Sequence, residues 1–290
     1  MRRRCLTWIP IVPCVLAMAC VPPAPEENLD RPYAETTTMG MLQAAGRVRV
    51  GVTADSPPLG YADPETEEPA GFTAALGREV AGTLGVQADF TLGSPGRLLE
   101  LVAEEELDIA FPNLPLTEEA VRSHSFSTPY VLVHQRLLVP SSSDVAAVED
   151  LAGRRVCAAI SRRTEISPGA IEPRVEVVGA ESVEDCIPLF RRSAVAAITA
   201  PDVYLHHAAA ELRGSAPAKI VGEELSTEGY GAVVSPGGGW LPFVNAVLQA
   251  AELDGTWAEA YRRWIAARPD DPPELSAEEA AALFPSTGRQ

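Results

Sequence analysis

The polar side chains of this sequence do not form a recognisable catalytic motif. There is no HExxH, CxxC, GxSxG or P-loop pattern, and the spacing identifies no nucleophile with a partnering base. His206 and His207 are adjacent on a predicted helix, where neighbouring side chains point about 100° apart, so they do not predict a metal site. We therefore expect a protein that is not an enzyme, with no cofactor and no metal.

One stretch has a charge order suited to a binding role. In "LPLTEEAVRSHSFSTPY", residues 114–130, Thr117 is suited to cap a short helix, and two glutamates follow it in the first turn. The only arginine of the stretch, Arg122, comes late. The pattern predicts a capped turn of helix running into a buried strand.

Composition and charge limit the class of protein. The chain has 290 residues, of which 46% are hydrophobic and 22% charged, as in ordinary globular proteins. The net charge of −17 makes nucleic acid and anionic membrane surfaces unfavourable partners. The length suffices for one large or two medium domains.

The first residues have the pattern of an export signal. A cationic start, a short apolar run and small residues before Cys20 resemble a bacterial lipoprotein signal over 1–19, with Cys20 lipidated after cleavage behind Ala19. Simple secretion with a free Cys20 is the alternative. Loss of the three signal arginines changes the charge from −17 to −20. Residues 20–44 are predicted to be a Pro-rich tether, which implies an extracytoplasmic protein anchored to the cell membrane.

Two cysteines remain in the body of such a protein. Cys157 lies in a predicted strand and Cys186 in a predicted helix. An even pair in an oxidising compartment favours a disulfide, and two buried free thiols are the alternative.

The hydrophobic pattern alternates between strands and helices. It begins with the strand "RVRVGVT" and a helix over 74–85, and such alternation predicts a mostly parallel α/β sheet. A second alternating set includes a helix over 146–153. Long strands near 131–137 and 226–232 would join two lobes around a cleft, which suits hinge closure on a ligand. The final helix is predicted to open with a capping box formed by Thr256 and Glu259.

These segments resemble the bacterial solute-binding proteins of polar amino-acid ABC importers, of the family 3 type. The resemblance covers residues 45–266 and rests on "GRVRVGVTADSPPLGY", "LDIAFPNLPLTEEAVRSHSFSTPY" and "EGYGAVVS". The cysteine spacing also resembles glutamate-type receptors of high-GC Gram-positive bacteria. The resemblance implies a two-lobed, type II periplasmic-binding-protein-like fold with two hinge strands. The domains it predicts, after the signal and tether, are lobe 1 at 45–134 plus 230–266, lobe 2 at 135–229 and a tail at 267–290.

The ligand contacts of the family are only partly kept. Its arginine that binds the ligand carboxylate corresponds to Ala120, and its acid that binds the ligand ammonium corresponds to Ala200. Thr117 is kept, whereas Pro115 replaces another threonine. We therefore expect ordinary α-amino acids to bind poorly. The candidate ligand-binding residues are Asp55, Leu59, Tyr61, Asn113, Thr117, Arg122, Ser161, Arg162, Arg163, Thr199 and Asp202.

The resemblance implies a function in solute capture. The expected role is an extracytoplasmic receptor that holds a small polar solute and delivers it to an ABC permease, acting as a monomer. Reuse of the fold in a non-transport lipoprotein, for signalling or envelope interaction, is the alternative. A dehydratase-like enzyme is a remote third hypothesis.

Overall fold

The computed structural model describes residues 33–159 and 175–265, and in these residues helices and strands alternate along most of the chain. The helices are α1 Thr38–Ala45, α2 Phe72–Thr83, α3 Pro95–Ala103, α4 Glu118–Ser123, α5 Val183–Arg191, α6 Asp202–Leu212, α7 Trp240–Asp254 and α8 Thr256–Trp264. The strands are β1 Arg47–Thr53, β2 Asp55–Ser56, β3 Gly60–Ala62, β4 Pro69–Ala70, β5 Gln87–Gly93, β6 Ile109–Phe111, β7 Ser125–Pro140, β8 Arg155–Ala159, β9 Glu176–Ala180, β10 Ala197–Pro201 and β11 Ala218–Val234. The predicted α/β class is confirmed.

The main sheet has parallel strands at both ends and an antiparallel pair in the middle. Its order is β5-β1-β6-β11-β7-β10-β8-β9. Strand β1 runs parallel to β5 and β6, and β8 runs parallel to β9 and β10, whereas β7 and β11 are antiparallel to each other. We call the part around β5, β1 and β6 the first lobe and the part around β10, β8 and β9 the second lobe.

The two central strands connect the lobes. Strand β7 has 16 residues and β11 has 17, and their pairing extends from Ser125 opposite Val234 to Pro140 opposite Ala218. The register shifts between Val221 and Ser226, where β11 departs from regular pairing. The chain leaves the first lobe along β7 and returns along β11. The two predicted long connections are therefore present, and both strands extend beyond the predicted ranges.

Each lobe has hydrophobic clusters that fix its helices on the sheet. In the first lobe, Phe72 of α2, Trp240 of α7 and Trp257 of α8 belong to one buried cluster. In the second lobe, Phe190 of α5 and Leu205 of α6 belong to another. Burial of such large side chains contributes roughly 1.5–3 kcal/mol each, so helix packing holds the strand ends in place.

The predicted disulfide is confirmed and lies in the second lobe. Cys157 of β8 and Cys186 of α5 are joined, with an S–S distance of 2.06 Å and a Cα–Cα distance of 5.7 Å. Both residues are fully buried. The bond ties α5 to the sheet.

Three local expectations were wrong. Residues 146–153 contain only a short 3₁₀ turn at Val148–Leu151 rather than an α-helix. Thr256 does not form a capping box, because Gly255 is the N-cap of α8 and the Asp254 carboxylate accepts from the Thr256 amide at 2.9 Å. Helix α1 lies largely within the predicted tether and buries Met39, so folded structure begins before residue 45.

Candidate functional site

A buried hydrogen-bond network follows strands β1 and β6 at the edge of the first lobe. The Asn113 amide nitrogen donates to the Thr53 hydroxyl at 2.8 Å, and the Tyr130 hydroxyl donates to the Asn113 carbonyl oxygen at 2.8 Å. Thr53 donates onward to the backbone carbonyl of Gly60 at 3.0 Å. Asn113 has φ of +53°, in a region that favours Asn among non-glycine residues. The network fixes the chain at the carboxyl ends of two parallel strands, where ligands bind in such sheets.

Sequence reasoning identified Asn113 but missed its two partners. Thr53 and Tyr130 lie 60 and 17 residues away from Asn113 along the chain. The Asn113 side chain is 8% exposed, so most of its hydrogen-bonding capacity is used within the protein. These three residues are distant in sequence and meet only in the folded sheet, so no local sequence pattern relates them.

The hairpin after β1 carries three of the candidate residues. Asp55 pairs with Tyr61 across β2 and β3, and Asp55 is exposed. The Tyr61 ring meets the Trp264 ring edge to face at 6.3 Å, and burial, with a smaller effect of Asp63, raises the Tyr61 pKa. Leu59 lies between these strands and is fully buried. The structure places its side chain in the core of the first lobe rather than on an open wall.

The turn at 117–122 forms the capped helix that the sequence predicts. The Thr117 side chain is the N-cap of α4 and accepts from the Ala120 amide at 3.2 Å. Arg122 points to solvent with 77% of its side chain exposed, and its guanidinium pairs with Glu118 at 2.7 Å. The late arginine of this stretch is therefore neutralised by an acid of the same exposed helix, Glu118.

In the second lobe, Thr199 has an internal role. Thr199 is fully buried in β10. Its hydroxyl accepts from the Gln135 side-chain amide at 2.7 Å and donates to the Arg136 backbone carbonyl at 3.0 Å. Its neighbour Ala200 is also fully buried. Thr199 thus fastens β10 to β7.

Asp202 begins α6 and faces the connecting strand β7. Its carboxylate accepts from the backbone amides of His134 at 3.1 Å and Val203 at 2.9 Å. The other oxygen lies 3.1 Å from His134 Nδ1, and His134 Nε2 lies 3.7 Å from the Glu224 carboxylate on β11. An acid at a helix N-terminus is favoured by the helix dipole. Asp202 therefore links α6 to the connecting strand β7, and His134 in turn faces Glu224 of β11. The sequence did not indicate this role for His134.

Three phenols, of which Tyr130 and Tyr230 are buried and Tyr204 is partly buried, gather where α6 meets the first lobe. Burial, the largest cause, raises the pKa of Tyr130, Tyr204 and Tyr230. Negative charge adds to this effect, because Asp202 acts on Tyr230 and Asp55 acts on Tyr204. All three phenols therefore stay neutral at physiological pH, which lets the Tyr130 hydroxyl donate its proton to Asn113.

Several predicted residues lie outside the described residues. They are Ser161, Arg162 and Arg163 in the gap after β8, and Cys20 with the predicted signal. Within the described residues, no group of three His, Cys, Asp or Glu side chains is arranged to hold a metal ion. None of the helices in the same part of the chain is long and apolar enough to cross a membrane.

The comparisons with known proteins agree with this architecture. The ABC transporter glutamine-binding protein GlnH of Bacillus subtilis is 24% identical over 242 residues, covering 82% of this chain and 86% of that protein. The L-cystine-binding protein TcyJ of Escherichia coli K12 is 21% identical over 240 residues, covering 81% and 88%.

A solved structure and a family model extend the comparison. An ancestral arginine-binding protein bound to arginine is 26% identical with a TM-score of 0.63, covering 76% of this chain and 99% of that one. The fold is thus that of two-lobed type II periplasmic amino-acid-binding proteins. The family model for "bacterial extracellular solute-binding proteins, family 3" matches residues 48–267. The chain therefore belongs to the bacterial extracellular solute-binding proteins of family 3.

Proposed function

We propose that this protein is a lipid-anchored, extracytoplasmic receptor of an ABC import system. It captures a small polar solute, an amino acid or a related compound, between its lobes and delivers it to a membrane permease as a monomer. The observation that carries the proposal is the family match over 48–267, which spans both lobes and both connecting strands. The relatives named for glutamine and cystine binding support the solute class.

The position of the polar residues supports capture between the lobes. Asn113 follows β6 of the first lobe, and Asp202 follows β10 of the second lobe. Both lie at carboxyl ends of strands, where backbone and side-chain groups converge on a ligand in open α/β sheets. Because the chain passes between the lobes along β7 and β11, rotation about these two strands would open and close the site.

Binding rather than catalysis is the proposed activity. His134 and Asp202 form a histidine–carboxylate pair, and the second ring nitrogen of His134 faces the Glu224 carboxylate at 3.7 Å. An imidazole between two carboxylates holds strands and helix together, which suits a hinge. The relatives in the comparison are named for the solutes they bind, which favours the same role here.

A thermal-shift screen tests the proposal directly. The purified protein is heated with small amino acids, amines and carboxylates, because a ligand that binds only the folded protein raises its melting temperature with concentration. We expect a saturable rise with at least one class, confirmed by calorimetry and by compaction in small-angle X-ray scattering. Absence of any shift, together with stable co-purification of an envelope protein, would favour the non-transport alternative.

The lipid anchor needs a separate test. Cells expressing the protein are labelled with a radioactive fatty acid, and the Cys20→Ala variant is compared with the wild type. We expect label and membrane association in the wild type and neither in the variant. Secretion of unlabelled wild-type protein into the medium would support simple export.

A further inference from the structure

A groove of about 570 Å³ lies on the first lobe, between α2, α8 and the short strand β4. Five residues give it an apolar lining: Pro69 and Ala70 of β4, Ala75 of α2, and Ala260 and Trp264 of α8. The Trp264 side chain is only partly buried. The groove contains none of the candidate ligand-binding residues, so the capture of a solute does not explain it.

The shape of the groove follows from the packing of α2 against α8. The Phe72 ring of α2 meets the Trp257 and Tyr261 rings of α8 edge to face, with ring centroids 5.7 and 6.1 Å apart. These aromatic contacts set the distance between the two helices. Ala75 and Ala260 lie one helical turn beyond Phe72 and Trp257, and their methyl groups are too short to fill the remaining space. The buried core therefore fixes the groove without help from a partner.

Two arginines line the groove without a neutralising acid. Arg78 of α2 and Arg263 of α8 are exposed, and neither forms an ion pair with a carboxylate in the described part of the chain. The Arg78 guanidinium lies 4.9 Å from the centre of the Phe90 ring and donates to the Pro69 carbonyl at 2.9 Å. The Arg263 guanidinium lies 5.1 Å from the centre of the Trp264 ring. Such contacts orient a guanidinium but leave its charge and most of its donors available to a partner.

The groove also has two acids. Glu259 precedes Arg263 by four residues on α8, a spacing at which helical ion pairs form, yet the described structure has no ion pair between them. The Glu79 carboxylate accepts from the Thr83 hydroxyl at 3.4 Å on the same helix. The groove thus presents charges of both signs beside an apolar lining. A peptide segment that carries both signs and an apolar side chain is complementary to it.

The sequence that follows α8 has this composition. Helix α8 ends at Trp264, a residue of the groove, and the predicted tail 267–290 lies outside the described residues. Six extended residues span about 20 Å, so the first part of the tail can reach both groove arginines. The charged residues of the tail are Arg268, Asp270, Asp271, Glu274, Glu278, Glu279 and Arg289.

We propose that the tail 267–290 binds in this groove and joins α8 to α2. Asp270 and Asp271 supply the carboxylates for the two groove arginines, and Leu275 covers the apolar lining. Arginine–carboxylate contacts are among the stronger hydrogen bonds of proteins, and burial of an apolar side chain adds to them. The groove is then an intramolecular docking site, which does not depend on the solute or on the receptor function.

Hydrogen exchange of the full chain tests this proposal. The purified protein is exchanged and digested, and the peptides that cover 268–284 are compared with the same peptides from denatured protein. A bound segment exchanges only when it opens, so we expect its amides to exchange at least about 10-fold more slowly in the folded protein.

Charge reversal identifies the contacts. Arg78→Glu with Arg263→Glu should return the tail to the exchange rate of the denatured protein, and Asp270→Arg with Asp271→Arg should do the same. Combining all four changes should restore the slow exchange, because the ion pairs form again with their signs exchanged. If the groove variant does not fold, the tail variant alone decides, since its changes lie outside the described fold.

The matched control reverses two arginines elsewhere. Arg192→Glu with Arg213→Glu makes the same change in net charge at exposed positions next to α5 and α6. Tail exchange should stay within about 2-fold of the wild type, because screening weakens interactions between distant surface charges.

Three outcomes would overturn the proposal. The first is a wild-type tail that exchanges as fast as in denatured protein, and the second is an equal loss of slow exchange in the control. The third is slow exchange that grows with protein concentration together with a dimer mass in light scattering, which would assign the groove to a second copy of the chain. Each outcome leaves the receptor function standing, because solute binding is measured separately.

Discussion

The Tyr130–Asn113 hydrogen bond allows a direct test of how much the buried polar network of the first lobe contributes to stability. Tyr130→Phe keeps the ring, which contacts Phe72 and Phe111, and removes only the hydroxyl. The Asn113 carbonyl oxygen then loses its donor at 2.8 Å in a site where Tyr130 is fully buried and Asn113 is 8% exposed. A buried acceptor left unpaired costs about 1–3 kcal/mol, so we expect the free energy of unfolding to fall by that amount.

Urea denaturation followed by tryptophan fluorescence measures this change. The midpoint should fall while the m-value is unchanged, since the surface exposed on unfolding is the same. In a chain of this size, the melting temperature should fall by about 2–4 °C for each kcal/mol.

The matched control is Tyr261→Phe. Tyr261 is also buried and stacks on Trp257 at 5.1 Å, but its hydroxyl has no hydrogen bond among the described residues. Its removal should change the unfolding free energy by less than about 0.5 kcal/mol. Equal losses in the two variants would refute the reasoning, because the hydroxyl of Tyr130 would then contribute nothing specific.

Three other perturbations have defined outcomes. Replacing both Cys157 and Cys186 by Ser should lower the free energy of unfolding by about 3.5 kcal/mol, because the disulfide closes a loop of 29 residues and restricts the unfolded chain. Reductant should lower the melting temperature of the wild type but not that of the variant. Asp108→Ala should cost about 1.5–3 kcal/mol in chemical denaturation, because Asp108 is buried and accepts hydrogen bonds from the Arg49 backbone amide and guanidinium, whereas the Arg49 side chain stays partly in contact with solvent. Burial raises the pKa of Glu228, so the native state holds that proton more tightly than the unfolded state does. The free energy of unfolding therefore falls as pH rises above the unfolded pKa. The change in melting temperature caused by Glu228→Gln, relative to wild type, should be more favourable at pH 7 than at pH 4.

Local sequence patterns were reliable where the stabilising contacts are also local. Thr117 caps α4 through an amide three residues away, and Gly255 follows α7 with φ of +89°. The capping box predicted at Thr256 failed for a reason equally local, because the Thr256 amide donates to the Asp254 carboxylate and the Glu259 amide donates to the Gly255 carbonyl. Competition between neighbouring side chains is difficult to resolve from residue types alone.

The residues of the candidate site were only partly accessible to the same reasoning. The resemblance identified Asn113 and Asp202, but the structure shows what each one binds: Asn113 joins Thr53 and Tyr130, and Asp202 joins His134 across 68 residues of sequence. Such partners are chosen by strand order and not by spacing. The sequence therefore named candidate residues without their hydrogen-bond partners.

The sequence by itself determined the α/β alternation, the two long connecting strands and the family, and it favoured the disulfide over two free thiols. These follow from hydrophobic periodicity, cysteine number and the order of motifs, all of which are properties of the linear chain. Only the tertiary structure decided that Leu59 is core, that Arg122 pairs with Glu118, and that Asn113 binds both Thr53 and Tyr130. Burial and charge balance are sums over residues distant in sequence, so they exist only once the sheet has brought those residues together.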